Sequence, residues 1–111
     1  MESKDEALNN LVQELRRGTI VLCVLSQLKE PKYGYSLVQG LEEKGLSIDA
    51  GTLYPLLRRL EKQELLSSAW ETSGTKPRKY YSLSDKGKDV YNSLCKEWDA
   101  MVSNMNKMLD K

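Results

Sequence analysis

The sequence predicts a mainly α fold with one small β-hairpin, and three observations carry that expectation. Most of the chain spaces its apolar residues three and four apart, the mark of helices that bury one face. After Leu66 the pattern changes to short β-prone runs around Ser73-Gly74-Thr75-Lys76-Pro77, a turn-forming segment. From Asp85 onward the helical spacing returns and continues almost to the last residue.

The 111 residues suffice for one core, and with 40% hydrophobic residues but no Phe, that core must be filled by Leu, Val, Met and Tyr. No run approaches the ~18 apolar residues of a membrane span, and the N-terminus does not resemble a signal peptide, so a cytoplasmic location is expected. Net charge is only +1, but it is unevenly placed. Between Ala50 and Tyr80 lie six cations (Arg58, Arg59, Lys62, Lys76, Arg78 and Lys79) and three acids (Glu61, Glu64 and Glu71), a local +3 that leaves −2 elsewhere. Steering towards phosphate needs that kind of concentration. There is no His, and Cys23 and Cys95 stand far apart without a C-x-x-C partner. No metal or cofactor is therefore expected, and the cysteines read as buried free thiols, with a redox pair as a minor variant. The chain has no G-x-x-x-x-G-K-[ST] loop and no nucleophile–base–carboxylate set, so it does not read as an enzyme.

Ser3 and Glu6 make an S-x-x-E capping box ahead of an apolar stripe of Leu8, Leu11, Val12 and Leu15. Ile20 to Leu25 is apolar nearly all round, so one helix is expected to run to about Lys29, bent at Gly18. Pro31 ends it. Tyr33-Gly34-Tyr35-Ser36 opens a second helix that buries Leu37, Val38 and Leu41, with Gly40 allowing close approach and Gly45 as its stop. Asp49 caps a third, in which Leu53, Leu56, Leu57 and Leu60 form the buried face. Pro55, Arg58, Arg59 and Lys62 point away from that face, with Thr52 on its flank. Pro55 should make the first turn irregular, and Gly51 eases the crowding of its ring. Either this is an ordinary amphipathic helix with a wet face, or its slim N-terminal end and cationic side enter a duplex major groove.

Two short helices joined by a tight turn, the second one basic, fit a helix-turn-helix. Ser67–Thr72 and Arg78–Leu83 follow as two strands, with Trp70, Tyr80, Tyr81 and Leu83 expected to anchor them on the helices. Lys76, Arg78 and Lys79 fall at or near the hairpin tip, where they either track a phosphate backbone or guard a sheet edge. That hairpin is a wing. Ser84 caps a last helix from Asp85 to about Leu109, whose Tyr91, Leu94, Trp98, Met101, Met105 and Met108 form a heptad seam. At 1.5 Å per residue it extends ~37 Å, further than a winged helix can cover. Its seam needs the first-helix residues Leu8, Leu11 and Leu15 and a second copy of itself. Residues 1–84 thus read as a winged helix-turn-helix DNA-binding domain with an N-terminal helix, and residues 85–111 as a C-terminal dimerisation helix. A two-fold dimer would present two reading heads to a palindromic site.

Four stretches carry a resemblance: L-R-R-G-T-I-V-L-C-V-L (Leu15–Leu25), Y-G-Y (Tyr33–Tyr35), G-T-L-Y-P-L-L-R-R-L-E-K (Gly51–Lys62) and R-K-Y-Y-S-L-S-D-K-G (Arg78–Gly87). From Leu15 to Trp98 the chain closely resembles the PadR family of bacterial transcriptional regulators, and its single last helix resembles the small subfamily. The resemblance implies a winged helix-turn-helix homodimer that represses genes by occupying double-stranded promoter DNA. It puts Thr52, Tyr54, Pro55 and Arg59 near the groove, Tyr35 near a phosphate, and Lys76 and Arg78 on the wing, with Tyr33 a packing residue. Phosphate contacts are then expected from Arg58, Lys62, Lys76, Lys79 and Tyr35. The resemblance further implies release by a small phenolic or flat aromatic effector. Trp98 beside Met101 and Met105 offers an adaptable slot for one, although its heptad spacing is already explained by a plain dimer anchor, the reading it favours. The competing function is a small-molecule-binding or protein-interaction winged-helix module without DNA recognition, consistent with near-neutral overall charge.

Overall fold

A computed structural model describes all 111 residues. In chain order the elements are α1 (Lys4–Arg17), α2 (Ile20–Ser26), β1 (Lys32–Tyr33), α3 (Gly34–Glu43), α4 (Ala50–Lys62), β2 (Leu66–Glu71), β3 (Arg78–Leu83) and α5 (Asp85–Leu109). The fold is mainly α with a small antiparallel sheet, as the sequence predicts.

The single bent helix expected at the N-terminus is two helices. α1 starts where Ser3 Oγ accepts the Glu6 N–H at 3.1 Å, and it ends at Arg17. Thr19 then turns back on Arg16, its N–H and hydroxyl both donating to the Arg16 carbonyl at 2.9 and 2.8 Å. Gly18 supplies little helical preference at that point, so the capped turn wins over continuation. α2 is also shorter than expected. Gln27 and Leu28 bond back three residues, to Val24 and Leu25, and such tight turns end an α-helix.

α3 closes in a Schellman turn: Gly45 adopts φ +99°, its N–H reaches Glu42 O, and Leu46 N–H reaches Leu41 O at 2.9 Å. Asp49 caps α4, its carboxylate accepting the Thr52 N–H at 3.2 Å. Pro55 lies inside α4 without breaking it. The first turn is tightened instead, with Thr52 N–H also reaching Asp49 O at 3.1 Å. α4 ends in a second turn of the Schellman kind, this time with Glu64 in the left-handed region at φ 66°.

The sheet order is β1-β3-β2. Its third strand was not foreseen: Lys32 and Tyr33 pair with Tyr81 and Tyr80. Two residues carry no periodicity of their own, and their strand state exists only through that pairing. In the hairpin, Leu66 opposes Leu83 and Glu71 opposes Arg78. Leu66, Tyr81 and Leu83 are buried against Val24, Leu25 and Leu28 of the α2 segment, Leu37 and Leu41 of α3, and Leu53, Leu57 and Leu60 of α4. Leu56 and Val38, expected in the core, pack at its edge. Trp70 does not anchor the sheet. It is 61% exposed, because it lies far along the edge strand β2, beyond the part that faces the core. Cys23 and Cys95 are free thiols but only half-buried, since both sit where α2 and α5 meet the edge of the core rather than within it.

α5 is rooted in a dense junction. Leu83 N–H donates to Leu28 O at 2.8 Å and Ser84 N–H to Leu65 O at 3.1 Å. Ser84 Oγ donates to Glu64 O at 2.6 Å and accepts the Gly87 N–H at 2.9 Å, while Lys86 Nζ reaches Gln63 O at 3.0 Å. Gly87 is required here, because a Cβ on it would lie 2.0 Å from the Leu65 carbonyl oxygen. Tyr91 and Leu94 then pack on the core edge, and beyond them the helix runs free. No residue of α1 is buried either. No helix is long and apolar enough to cross a membrane.

Candidate nucleic-acid interface

α4 turns Leu53, Leu57 and Leu60 inward, and its 3.6-residue period therefore turns Thr52, Pro55, Arg58, Arg59 and Lys62 out into solvent. Tyr54 is different. It is half-buried, and its ring lies so close to Gly34 that a Cβ there would sit 2.5 Å away. Tyr54 thereby fixes the start of α3 against α4, a packing role beside any contact its edge makes. Asp49 lies at the helix entrance, its carboxyl held below the ordinary range by hydrogen bonding from Thr52.

Beside α4 the sheet brings three separated tyrosines together with an arginine. Tyr35, in the first turn of α3, is 51% exposed, and its hydroxyl accepts from Arg78 Nη1 at 3.4 Å. The Arg78 guanidinium also lies 4.9 Å from the centre of the Tyr33 ring. Tyr33 stacks parallel to Tyr35 at 5.9 Å and meets Tyr80 edge-on at 6.0 Å. Neither Tyr33 nor Tyr80 was expected at the site. A signal existed in the period of two, which puts Arg78 and Tyr80 on one face of β3, but finding Tyr33 required knowing that β1 pairs there.

Lys79, the next residue, faces the other way. Its ammonium is 3.2 Å from Glu61 Oε1 on α4 and 5.2 Å from the centre of the Tyr81 ring. Glu61 also accepts from the Ser68 hydroxyl, so the three side chains tie the hairpin to α4. Hydrogen bonding from Ser68, reinforced by Lys79, holds the Glu61 carboxyl below its ordinary value. Burial pulls the Lys79 ammonium down, but the Glu61 hydrogen bond and the charges of Tyr81 and Glu61 outweigh it and leave it raised. Lys79 is thus a brace, set back from the hairpin tip. Lys76 lies in the exposed loop between the strands, which Glu71 orders by accepting the Ser73 N–H at 2.9 Å together with its hydroxyl. Hydrogen bonding from Ser73, followed by the nearby charge of Arg78, keeps the Glu71 carboxyl low. The protein has two ion pairs, Lys79–Glu61 and Lys88–Asp85. Arg58, Arg59, Lys62, Lys76 and Arg78 are therefore free of acidic partners.

Residues 21–93 match the family model described as the transcriptional regulator PadR-like family. The chain belongs to the PadR family. It is 48% identical to a PadR family transcriptional regulator from Eggerthella lenta, whose crystal structure superposes with a TM-score of 0.91 over 96% of each chain. A PadR-like transcription factor from Bacteroides fragilis is 38% identical, with a TM-score of 0.75 over 89% of this chain and 98% of that one. A transcriptional regulator of Mycobacterium tuberculosis is 31% identical over 78 residues, 69% of this chain and 73% of that protein. The protein is a PadR-family transcriptional regulator with a winged-helix fold.

With no α4 residue in its lining, an open apolar groove of about 650 Å³ lies in this PadR protein between the α1–α2 bend and α5. Leu15, Leu22, Leu94, Trp98, Met101 and Met105 supply its apolar wall, with Arg16 and Glu97 at its rim. Trp98 is 42% and Met101 58% exposed. Met108, Leu8 and Leu11 are exposed beyond the groove. Tyr91 belongs to the core edge, its ring under the Lys29 ammonium at 5.1 Å, and hydrogen bonding with Cys95 raises its phenol above the ordinary range. No group of three or more His, Cys, Asp or Glu side chains is arranged to hold a metal ion.

Proposed function

We propose that this protein is a repressor that binds a palindromic promoter operator as a homodimer and leaves it when a small aromatic or phenolic effector binds. The observation that carries the DNA reading is the uncompensated charge of α4 and the wing. A merely solvated face would pair its arginines with acids along the same helix. Here Glu61, the one acid of α4 and three residues from Arg58, is withdrawn by Lys79 and Ser68, and Arg59 and Lys62 have no acid three or four residues away, so all three cations stand unpaired beside Arg78 and Lys76. In this reading Arg58, Lys62, Lys76, Arg78 and Tyr35 grip phosphates, while Thr52, Tyr54, Pro55 and Arg59 meet the groove. Lys79 holds the wing at its angle rather than touching DNA. Residues 1–84 form the reading unit, and residues 85–111 with Leu8, Leu11 and Leu15 form the dimer seam. The groove around Trp98 and Met101 is the effector site, because thioethers repack readily around a flat ring.

Fluorescence anisotropy against the protein's own upstream DNA and a random duplex, at two salt concentrations, tests this. The repressor reading expects tight, salt-sensitive binding that prefers the upstream sequence. Arg59→Ala should weaken that preference by about 1–3 kcal/mol per half-site, and Lys76→Ala should weaken all duplexes alike while lowering the salt slope by about one per half-site, about two for the dimer. Absence of duplex binding at micromolar protein in low salt refutes the proposal and favours a ligand- or protein-binding module built on the groove.

A further inference from the structure

We infer that Tyr33 is a positioning residue for DNA binding: braced by Tyr80, its ring holds the Arg78 guanidinium beside the Tyr35 hydroxyl, so that the two grip one backbone phosphate together. The inference rests on the DNA-binding reading above and adds to it a residue that makes no contact with DNA itself.

Glu71, the acid directly opposite Arg78 in the sheet, feels its charge but forms no direct ion pair with it, its Oε1 being turned to the Ser73 N–H and hydroxyl. The guanidinium is left with two partners, the Tyr33 face at 4.9 Å and the Tyr35 oxygen at 3.4 Å. Neither cancels its charge. Both restrict a long side chain that would otherwise lose its rotamer freedom on binding. Tyr33 is suited to this because it belongs to three elements at once. It is the last residue of β1, the residue that caps α3, and the cross-strand partner of Tyr80. The hydroxyl of Tyr35 accepts from Arg78, which leaves its own hydrogen to donate outward. A guanidinium N–H and a phenol O–H side by side match two oxygens of one phosphate. Tyr33 works through its ring, so Phe should replace it and Leu should not.

Full-length Tyr33→Phe and Tyr33→Leu proteins, each also combined with Arg78→Gln, would be titrated against the upstream duplex and melted in parallel. Tyr33→Phe should bind as the parent does. Tyr33→Leu should lose about threefold per half-site, about tenfold for two reading heads, a cation–π-sized effect. It should lose nothing further in the Arg78→Gln background. The Arg78 Nε–H NMR resonance, recorded without DNA, should carry a ring-current shift that Phe preserves and Leu removes. A Tyr33→Leu loss of equal size in both backgrounds, or no loss at all, overturns the positioning role while parental binding leaves the repressor reading intact. Absence of duplex binding by the parent overturns both.

Discussion

A methyl group is enough to disturb this fold at Gly87. The carbonyl that it would strike, Leu65 O at 2.0 Å, belongs to backbone already committed to Ser84 N–H and cannot swing aside. Gly87→Ala should therefore cost about 3 kcal/mol in denaturant unfolding, the scale of an overpacked interior site. Gly18→Ala is the contrasting case, since nothing lies within 4 Å and φ is −71°. It should be neutral or add up to about 1 kcal/mol, by helix preference and a less flexible unfolded chain. Individual residues were read unevenly from the sequence. The leucines of α4 declare their face because burial follows the helical period. Arg78 and Lys79 could not be told apart from composition, and only the strand's alternation sends one towards Tyr35 and the other towards Glu61. The family resemblance puts Tyr54 near the groove, but its contact with Gly34 depends on how α3 crosses α4 and is not written in the sequence.

Between elements, the wing is held to α4 by Glu61, Ser68 and Lys79, and that tie responds to acid. The folded-state carboxyl of Glu61 lies below its ordinary value of 4.5, so its stabilisation is complete above that value and is lost as pH falls through the lowered one. Lys79 is raised above 10.5, so its share is complete below that value and is lost only as pH rises past the raised one. The tie is therefore intact throughout the neutral range. Both side chains are roughly a third exposed, which keeps its worth below about 1 kcal/mol. Thermal melts of Glu61→Gln should start slightly lower at pH 7 and lose less than the parent between about pH 5 and pH 3. Unchanged acid sensitivity would assign the parent's acid response to other carboxylates. Helices and hairpin were legible as elements because each repeats its own period over several residues. β1 was not, being two residues long and defined by Tyr80 and Tyr81 far along the chain. The α1–α2 break was half-legible: Gly18 marks it, but the Thr19 turn that completes it is a hydrogen-bonding choice.

For the molecule as a whole, the stripe of α1 and the outer half of α5 leave Leu8, Leu11, Leu15, Trp98, Met101, Met105 and Met108 open to solvent. Met101→Glu puts a charge on that surface without touching the core. In sedimentation equilibrium it should convert a dimeric protein to monomer at micromolar concentration while the helical circular-dichroism signal is retained. A dimer that survives the change would move the interface elsewhere. The rooting of α5 has a mechanical consequence for any such pair. Leu65, Glu64 and Gln63 at the end of α4 are fastened to Ser84 and Lys86, a junction expected to make α4 and α5 turn together as one limb. In the proposed homodimer, two such limbs crossed at their far ends would work like calipers. A swing of about 5° at the crossing of ~37 Å rods moves each jaw by about 3 Å, a large fraction of one base-pair step. In the proposed homodimer, whatever wedges or relaxes the crossing would set the gauge of the jaws.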